Sequence, residues 1–89
     1  MNKQIWKYEI NVTGTIVEMP EDAIIRCVDS QYGGITLWVE VDPERSKVKR
    51  KFEVIGTGQN IPDIPLKYLG TVKLIHETLI YHIYEAYLL

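Results

Sequence analysis

The sequence predicts an all-β protein, in which one small domain over residues 1–89 forms an antiparallel sandwich or barrel of six to seven short strands. Three observations favour this fold class. Ile, Val and Thr occur 12, 8 and 6 times, whereas Ala occurs twice and Leu seven times. β-Branched side chains fit a pleated surface and lose rotamer freedom on a helix. Several segments also alternate apolar and polar residues, with Gly or Pro between them.

The first two strands are predicted over Gln4–Val12 and Thr15–Met19, on either side of Thr13-Gly14. The first segment alternates and so places its aromatic and aliphatic side chains on one face. Because Gly permits a sharp change of direction, we expect these two strands to form a tight hairpin. Proline cannot continue a ladder, so a turn over Pro20–Asp22 follows the second strand.

A third strand is predicted over Ala23–Asp29, followed by a hairpin loop over Ser30–Gly34, where two glycines allow positive φ. Two registers remain open, because a shift of one residue exchanges the two faces of a strand. The first register turns Ala23, Ile25 and Cys27 inward, and the second turns Ile24 and Val28 inward. In the first register Cys27 is a small core hydrophobe rather than a reactive thiol, and Arg26 lies beside Trp38.

A central hairpin is predicted over Ile35–Ile55, with a four-residue loop closed by Asp42 and Lys47. Asp42 and Pro43 suit the first two positions of a type I turn. Apolar residues then oppose each other on the core face, with Arg50 as the exception. Opposite charges, or a lysine beside an indole, stabilise such a ladder by about 0.2–1 kcal/mol per pair. The expected inner pairs are Val41–Val48, Val39–Arg50, Leu37–Phe52 and Ile35–Val54, and the outer pairs are Asp42–Lys47, Glu40–Lys49 and Trp38–Lys51.

The rest of the chain is predicted as a loop followed by one more hairpin. Gly56–Pro65 holds two glycines and two prolines, so it cannot form a central strand. Tyr68–Ile75 and Leu79–Ala86 then pair around His76–Thr78. Some apolar residues of the last segment have helical spacing, but its Ile and Tyr content favours a strand.

The segment Gly56-Thr57-Gly58-Gln59-Asn60 is the first candidate ligand site. Glycines let a ligand approach the backbone, and successive N–H groups can bind an anion. Thr, Gln and Asn add donors that adapt to a ligand. The segment lacks the lysine and the following helix of a phosphate-binding loop, so a structural bend at the end of a strand is the alternative.

A stripe of lysines at every second residue, Lys47, Lys49 and Lys51, is the second candidate feature. With Trp38 beside it, such a stripe is typical of a surface that binds phosphate or a single-stranded nucleic acid. The alternative is a solvated outer face neutralised by nearby acidic residues. The candidate site therefore consists of Gly56, Thr57, Gly58, Gln59, Asn60, Trp38, Lys49 and Lys51.

Catalytic and metal-binding patterns are not found in the sequence. His76 and His82 are the two histidines, and no cysteine or tight acidic cluster completes a set of three or four ligands. No nucleophile is recognisably paired with a base, and no two carboxylates are placed for acid–base chemistry. We expect a protein that is not an enzyme and that needs no metal or cofactor.

Charge and cysteine content limit the partners and the compartment. Ten basic against twelve acidic residues give a net charge of −2, which argues against a nucleic-acid binder. The single cysteine, Cys27, cannot form an intramolecular disulfide. No long apolar run, signal peptide or lipidation motif indicates a membrane partner, so we expect a cytoplasmic protein.

Five stretches read in order resemble a family of small uncharacterised domains carried mainly by bacteriophages and prophages. They are Ile5–Ile10, Val17–Pro20, Phe52–Gly58, Tyr68–Val72 and Leu79–Glu85. The resemblance covers nearly the whole chain. It implies a phage origin, a cytosolic setting in the host cell and one β-rich domain, and it brings no catalytic residues.

Two functions are expected from this setting. The first is a non-catalytic accessory protein that antagonises a host defence by binding and blocking a host protein. The alternative is an oligomeric sponge that sequesters a nucleotide-type signalling molecule. We also expect a homo-oligomer, because residues 81–89 are apolar on both faces. The apolar side chains that exceed the capacity of a thin core are Trp6, Tyr84, Tyr87, Leu88 and Leu89.

Overall fold

Seven β-strands make up the structure, a computed structural model that describes residues 2–11 and 14–87. Each strand falls on a segment rich in β-branched or aromatic residues, as these side chains favour a pleated surface. The strands are β1 (Gln4–Ile10), β2 (Thr15–Pro20), β3 (Ile24–Gln31), β4 (Gly34–Val41), β5 (Lys47–Gly56), β6 (Leu66–Leu74) and β7 (Leu79–Ala86).

The strands form two antiparallel sheets. Sheet A has the order β1-β4-β3, and sheet B has the order β2-β5-β7-β6. Every ladder in both sheets is antiparallel. The predicted all-β fold of six to seven antiparallel strands is therefore confirmed, and two sheets around one core are consistent with a sandwich. The described residues contain no helix, hence none long and apolar enough to cross a membrane.

The core lies between the inner faces of the two sheets. Alternate residues of each strand point inward, and a fully buried aliphatic or aromatic side chain contributes about 1.5–3 kcal/mol. β4 lies in the interior of sheet A and provides the largest number of completely buried side chains. The largest buried apolar residues of this cluster are Phe52, Met19, Ile35, Leu37, Ile83, Val39, Val41 and Val72.

Two of the predicted hairpins are wrong. β1 pairs with β4 and β2 pairs with β5, so these consecutive strands lie in different sheets. β4 and β5 also lie in different sheets, and β5 pairs with β2 and β7. The turn after Asp42 does form, because the Arg45 N–H donates to the Asp42 carbonyl at 3.1 Å. A short loop can connect two facing sheets as well as two paired strands, and here it carries the chain from sheet A to sheet B.

The outer pairs predicted for that hairpin are absent because each residue has another neighbour. Glu40 forms ion pairs with Arg26 and Lys3 instead of Lys49. Trp38 lies between Lys7 of β1 and Cys27 of β3 instead of facing β5.

β3 follows neither predicted register along its whole length. Its pairing with β4 shifts between Ile25 and Cys27, which is a β-bulge at Arg26. Ile25 packs on the core before the shift and Val28 packs on it after the shift. Cys27 is therefore exposed, and the prediction of a core thiol is wrong. Arg26 donates to Glu40 at 3.1 Å.

The other two hairpins and the long loop are confirmed. β3 and β4 are joined by a two-residue turn with φ of 52° at Tyr32 and 78° at Gly33, as a type I′ turn requires. β6 and β7 pair up to Leu74 and Leu79, with a loop over residues 75–78. Residues 57–65 contain no strand.

A largely buried ion pair links β5 and β7 within sheet B, and its arginine also reaches sheet A. Arg50 Nε and Nη2 donate to the two carboxylate oxygens of Glu85 at 2.6 and 2.7 Å. Arg50 Nη1 donates to the Ala23 carbonyl, which leads into β3, at 2.6 Å. Both charged side chains are largely buried, with 20% and 13% of their surface exposed. This bidentate contact explains why an arginine occupies an inward position of β5.

Candidate functional site

The structure places the predicted site residues in three separate regions. Gly56–Asn60 lies at the end of β5, where the chain enters the long loop. Trp38 lies on the outer face of sheet A, since the buried Leu37 and Val39 on either side of it face the core. Lys49 and Lys51 lie on the outer face of sheet B. Trp38 and the lysines are therefore on opposite sides of the protein and form no common surface.

The two lysines of the stripe have acidic neighbours in their own sheet. Lys49 is paired across the ladder with Glu18. Lys51 Nζ lies 3.2 Å from Glu53 Oε1. Seven residues of an extended strand span about 23 Å, so Lys49 is also far from Gly56. These contacts match the solvated, neutralised face that was the alternative interpretation.

The 56–59 segment forms a well-defined turn. The Gln59 N–H donates to the Gly56 carbonyl at 3.0 Å, and Gly58 has a φ of 90°, the geometry of a type II turn. The Gln59 side chain closes the turn, since its Oε1 accepts from the Gly56 N–H at 2.7 Å. The Thr57 N–H donates to the Ile80 carbonyl of β7 at 3.2 Å. This 56–59 turn is thereby attached to sheet B.

The backbone N–H groups of this segment are mostly occupied. Gly56, Thr57 and Gln59 donate within the protein, and this leaves Gly58 and Asn60 with no partner among the described residues. Glycine φ is positive at Gly58 and not at Gly56. An anion that used the whole segment would have to displace three internal hydrogen bonds. As folded, the turn offers isolated donors rather than a phosphate-binding nest.

A chain of hydrogen bonds crosses the outer face of sheet B and ends at this turn. Tyr68 Oη is hydrogen-bonded to Thr71 Oγ1 on β6. Thr71 Oγ1 lies 3.0 Å from His82 Nδ1, and His82 Nε2 lies 2.8 Å from Thr57 Oγ1. The Thr57 hydroxyl in turn donates to the Ile80 carbonyl at 3.5 Å. We call these four side chains the His82 network.

The direction of the His82 network follows from its last acceptor. The Ile80 carbonyl can only accept, so the Thr57 hydroxyl donates to it and accepts from His82 Nε2–H. In the neutral imidazole, Nδ1 then accepts from Thr71, whose oxygen accepts from Tyr68. Both ring nitrogens are engaged inside the protein. A ligand over His82 would therefore contact ring carbons and not a free lone pair.

Two shallow depressions lie on either side of the 56–59 turn. One has a volume of about 300 Å³ and is bounded by residues 78–81 of the β6–β7 hairpin. The other has a volume of about 280 Å³ and lies over Ile55, Ile61, His82 and Tyr84. Both are at the lower limit of the range for ligand pockets, ~300–1,000 Å³. No lysine or arginine lines either depression.

The outward side of β7 is apolar and aromatic, although β7 is an interior strand of sheet B. Ile83 and Tyr81 pack on the core, so the residues that alternate with them point outward. Ile55 and Ala86 are buried yet lie outside the core cluster, because they belong to this outer side. Tyr68 packs edge-on against Tyr84, with ring centroids 5.4 Å apart. We define the β7 face as Ile80, His82, Tyr84 and Ala86 with their neighbours Ile55, Tyr68 and Thr71. The charged ladder partners that border this face are Lys51, Glu53 and Lys73.

Sequence reasoning identified only part of this arrangement. It selected Thr57 as a loop donor and considered His82 solely as a metal ligand. No group of three or more potential metal ligands occurs in residues 2–11 and 14–87. The sequence feature that indicated this surface is the presence of apolar residues on both faces of β7. Of the apolar residues expected to exceed the core, Trp6 and Tyr84 are half-buried and Tyr87 is exposed, while Leu88 and Leu89 lie outside the described residues.

Comparison with known proteins gives one match. Residues 1–88 match the model of a family described as a domain of unknown function, DUF7352. No curated protein and no solved structure matches the chain.

Proposed function

We propose that this chain, which belongs to the DUF7352 family, is a non-catalytic binding protein that engages a partner protein through the β7 face. One observation carries the proposal. β7 is an interior strand of sheet B, and on the outer face of that sheet it presents half-buried isoleucine, histidine and tyrosine side chains to solvent. In an antiparallel sheet that faces water on one side, outward positions are normally polar. Here they have the composition of a protein interface, in which aromatic residues are enriched and charged residues are depleted.

Rigidity of the β7 face supports the same proposal. The His82 network holds Thr57, Thr71 and Tyr68 in fixed positions, and the 56–59 turn is closed by its own hydrogen bonds. A partner that binds such a surface orders few additional side chains. Each immobilised side chain costs roughly 0.5–1.5 kcal/mol on association, so a preformed surface retains more of its binding energy.

The setting proposed for this binding is that of a phage accessory protein in the cytosol of a bacterial host. The family resemblance of the sequence motivates this setting. The partner is then a host protein, and binding antagonises a host defence by covering a surface that the host protein needs. No catalytic step is required for this action, because occupancy alone blocks the partner.

The proposal is tested by capture from a bacterial host with two matched variants. Tyr68→Lys places a charge on the β7 face, where Tyr68 is 55% exposed. Ile24→Lys places the same charge on the outer face of sheet A, where Ile24 is 41% exposed. We expect a stoichiometric protein partner to be retained by the wild type and by Ile24→Lys and to be lost from Tyr68→Lys. Retention by Tyr68→Lys, or no stoichiometric partner at all, would contradict the proposal.

A second candidate function is the sequestration of a nucleotide-type molecule by an oligomer. The depression over Ile55, Ile61 and Tyr84 favours it, because an apolar floor beside the free N–H of Gly58 suits a flat ring with acceptor atoms. With no lysine or arginine around it, a phosphate group would project away from the turn. Heating the protein purified from host cells should release a nucleotide if this function is correct. A nucleotide-free supernatant would exclude it and leave the protein-binding function.

A further inference from the structure

One edge of sheet A, the strand β1, is regular and unprotected. β1 pairs with β4 along one side, and no other strand of the described chain lies along its opposite side. Its seven residues follow β4 without a register shift, and none of them is proline. Bulges, prolines and short length are the usual features that prevent an edge strand from pairing with another chain. β1 has none of these features.

The lysine of β1 does not protect the edge either. A lysine that extends past an edge is a common means of blocking it. Lys7 instead reaches back over sheet A, where its Nζ donates to Gln31 Oε1 at 2.9 Å. The same ammonium group lies 5.8 Å from the centre of the Tyr32 ring. The backbone groups on the free side of β1 are therefore open to a partner strand.

An incompletely buried aromatic row lies along this edge. Trp6 and Tyr8 point to the inner side of sheet A and pack on the core, yet both remain half-buried. Their ladder partners on β4, Val39 and Leu37, are completely buried. A further strand beside β1 would cover this row in the way that β1 covers β4.

We propose that β1 pairs with β1 of a second copy of this chain, antiparallel and about a two-fold axis at Tyr8, so that the two A sheets form one six-stranded sheet. A two-fold axis makes the interface self-complementary, so each contact occurs twice. In this register Glu9 of each copy faces Lys7 of the other on the outer side. Trp6 of each copy faces Ile10 of the other on the inner side.

Charge complementarity selects this register over its neighbour. With the axis at Lys7, the two Lys7 side chains would oppose each other, and like charges directly opposite are unfavourable. β2, one of the two edges of sheet B, is less suited to the same role, because it ends at Pro20, which has no N–H. The proposed dimer leaves the β7 face uncovered, since that face belongs to the other sheet. It is therefore independent of the proposed function.

Mixed disulfide formation tests the dimer and its register together. Two differently sized chains are made in a Cys27→Ser background, one with Lys7→Cys and the other with Glu9→Cys. Directly opposed residues have Cβ atoms about 4.5–5.5 Å apart, close to disulfide range, whereas diagonal residues are ~7–8 Å apart. We expect the mixture to give a cross-linked pair of one long and one short chain, and each chain alone to give almost none. Circular dichroism of each variant verifies that it is folded.

Other outcomes overturn the proposal. Cross-linking of Lys7→Cys with itself would place the axis at Lys7, and absence of any cross-link in the folded mixture would exclude pairing through β1. Sedimentation of the unmodified chain gives a readout that needs no variant. We expect a species of twice the 10.3 kDa chain mass at tens of micromolar protein, and a purely monomeric chain would refute the dimer.

Discussion

The outer faces of the two sheets cover the same core but are built from different interactions. On the outer face of sheet A, Glu40 contacts both Lys3 and Arg26 through ion pairs. On sheet B, the β7 face is held together by hydroxyl groups and one imidazole, and the ion pair between Lys51 and Glu53 lies beside it on β5. Charged groups hydrate strongly, whereas a hydrogen-bonded neutral network flanked by isoleucine and tyrosine sheds water readily. The difference indicates which face is suited to bind a partner and which is suited to face solvent.

Strand position explains part of this difference. β4 and β7 are both interior strands, so their outer residues have side chains on either side. Thr36 of β4 is completely buried on the outer face, between Glu9 and Asp29. The outer side of sheet A therefore covers its own centre with polar side chains. Sheet B leaves aromatic side chains partly exposed at the equivalent place, and a partner can cover them.

The largest expected effect comes from the largely buried ion pair between Arg50 and Glu85 within sheet B. Arg50→Ala leaves the Glu85 carboxylate largely buried without its partner, and loss of one member of such a pair costs about 3–5 kcal/mol. Arg45→Ala is the matched control, because both side chains of its ion pair with Asp22 are exposed, and such a pair is worth less than about 1 kcal/mol. Urea denaturation measures both free energies of unfolding.

The double variant Arg50→Met with Glu85→Leu distinguishes loss of charge pairing from loss of packing. Replacing both members by apolar residues of similar size removes the uncompensated charge, so we expect it to recover most of the stability. An Arg50→Ala protein as stable as the wild type would show that the sheets do not depend on this contact.

Substitution in the 56–59 turn should have the next largest effect on the free energy of unfolding. Gly58 has a φ of 90°, which side chains rarely adopt, although a Cβ there would meet no atom within 4 Å. Gly58→Val should therefore lower the free energy of unfolding by roughly 1–3 kcal/mol through backbone strain alone. Gly34→Ala is the control, because its φ is not positive and its Cβ meets only the Gln31 carbonyl, at 3.7 Å. Thermal unfolding and partner binding are measured on both variants.

If Gly58→Val loses stability while its folded fraction binds as the wild type does, the turn is only a structural bend. Loss of binding at unchanged fold would make the turn part of the binding surface. Equal stability of Gly58→Val and wild type would contradict the left-handed conformation of Gly58.

The His82 network should have a smaller, local effect. His82→Gln breaks at least one of the hydrogen bonds of the ring, and a single bond of this kind contributes about 0.5–1.5 kcal/mol. His76→Gln, in the exposed β6–β7 loop, is the matched control and should change little. Hydrogen exchange at the Thr57 amide is the informative measurement, because the network anchors that residue to β7. Faster exchange confined to His82→Gln supports the network, and equal exchange in both variants argues against it.

The smallest effect concerns pH on the sheet A face. The hydrogen bond from Arg26 lowers the pKa of Glu40, and the nearby Arg26 and Lys3 charges act in the same direction. A lowered pKa in the folded state stabilises the fold above the unfolded-state pKa, and this contribution is lost as the pH falls through the folded pKa. Glu40→Gln should therefore show a shallower decline in stability upon acidification than the wild type. Identical acid denaturation curves for Glu40→Gln and the wild type would show that Glu40 makes no such contribution.

Local patterns of the sequence predict the strands well and the pairing of strands less well. Alternation and turn residues locate all seven strands, and the hairpins around Tyr32-Gly33 and residues 75–78 follow from short loops. The Asp42-Pro43 turn is equally local and does form. Whether the chain then returns along the same sheet or crosses to the other depends on which distant strand offers a better partner. β4 pairs with β1 and β3, and the Asp42-Pro43 turn connects it to neither of them.

The candidate site could be predicted only in part for a related reason. Complementary charges suggested Glu40 with Lys49, but Arg26 and Lys3 satisfy Glu40 equally well from within sheet A. The His82 network joins β6, β7 and the long loop, and no spacing in the sequence shows that these residues meet. A bulge at Arg26 reversed the expected orientation of Cys27, because one extra residue exchanges the two faces of a strand.

The central claim, that the β7 face binds the partner while the sheet A face stays in solvent, is tested most directly by amide chemical-shift mapping. The isotope-labelled chain is titrated with the protein that it captures from the host. We predict that the perturbed amides cluster on the outer side of β7, on β6 around Tyr68 and in the 56–59 turn. Perturbations centred on β3 and β4 of sheet A, with β7 unchanged, would contradict the claim.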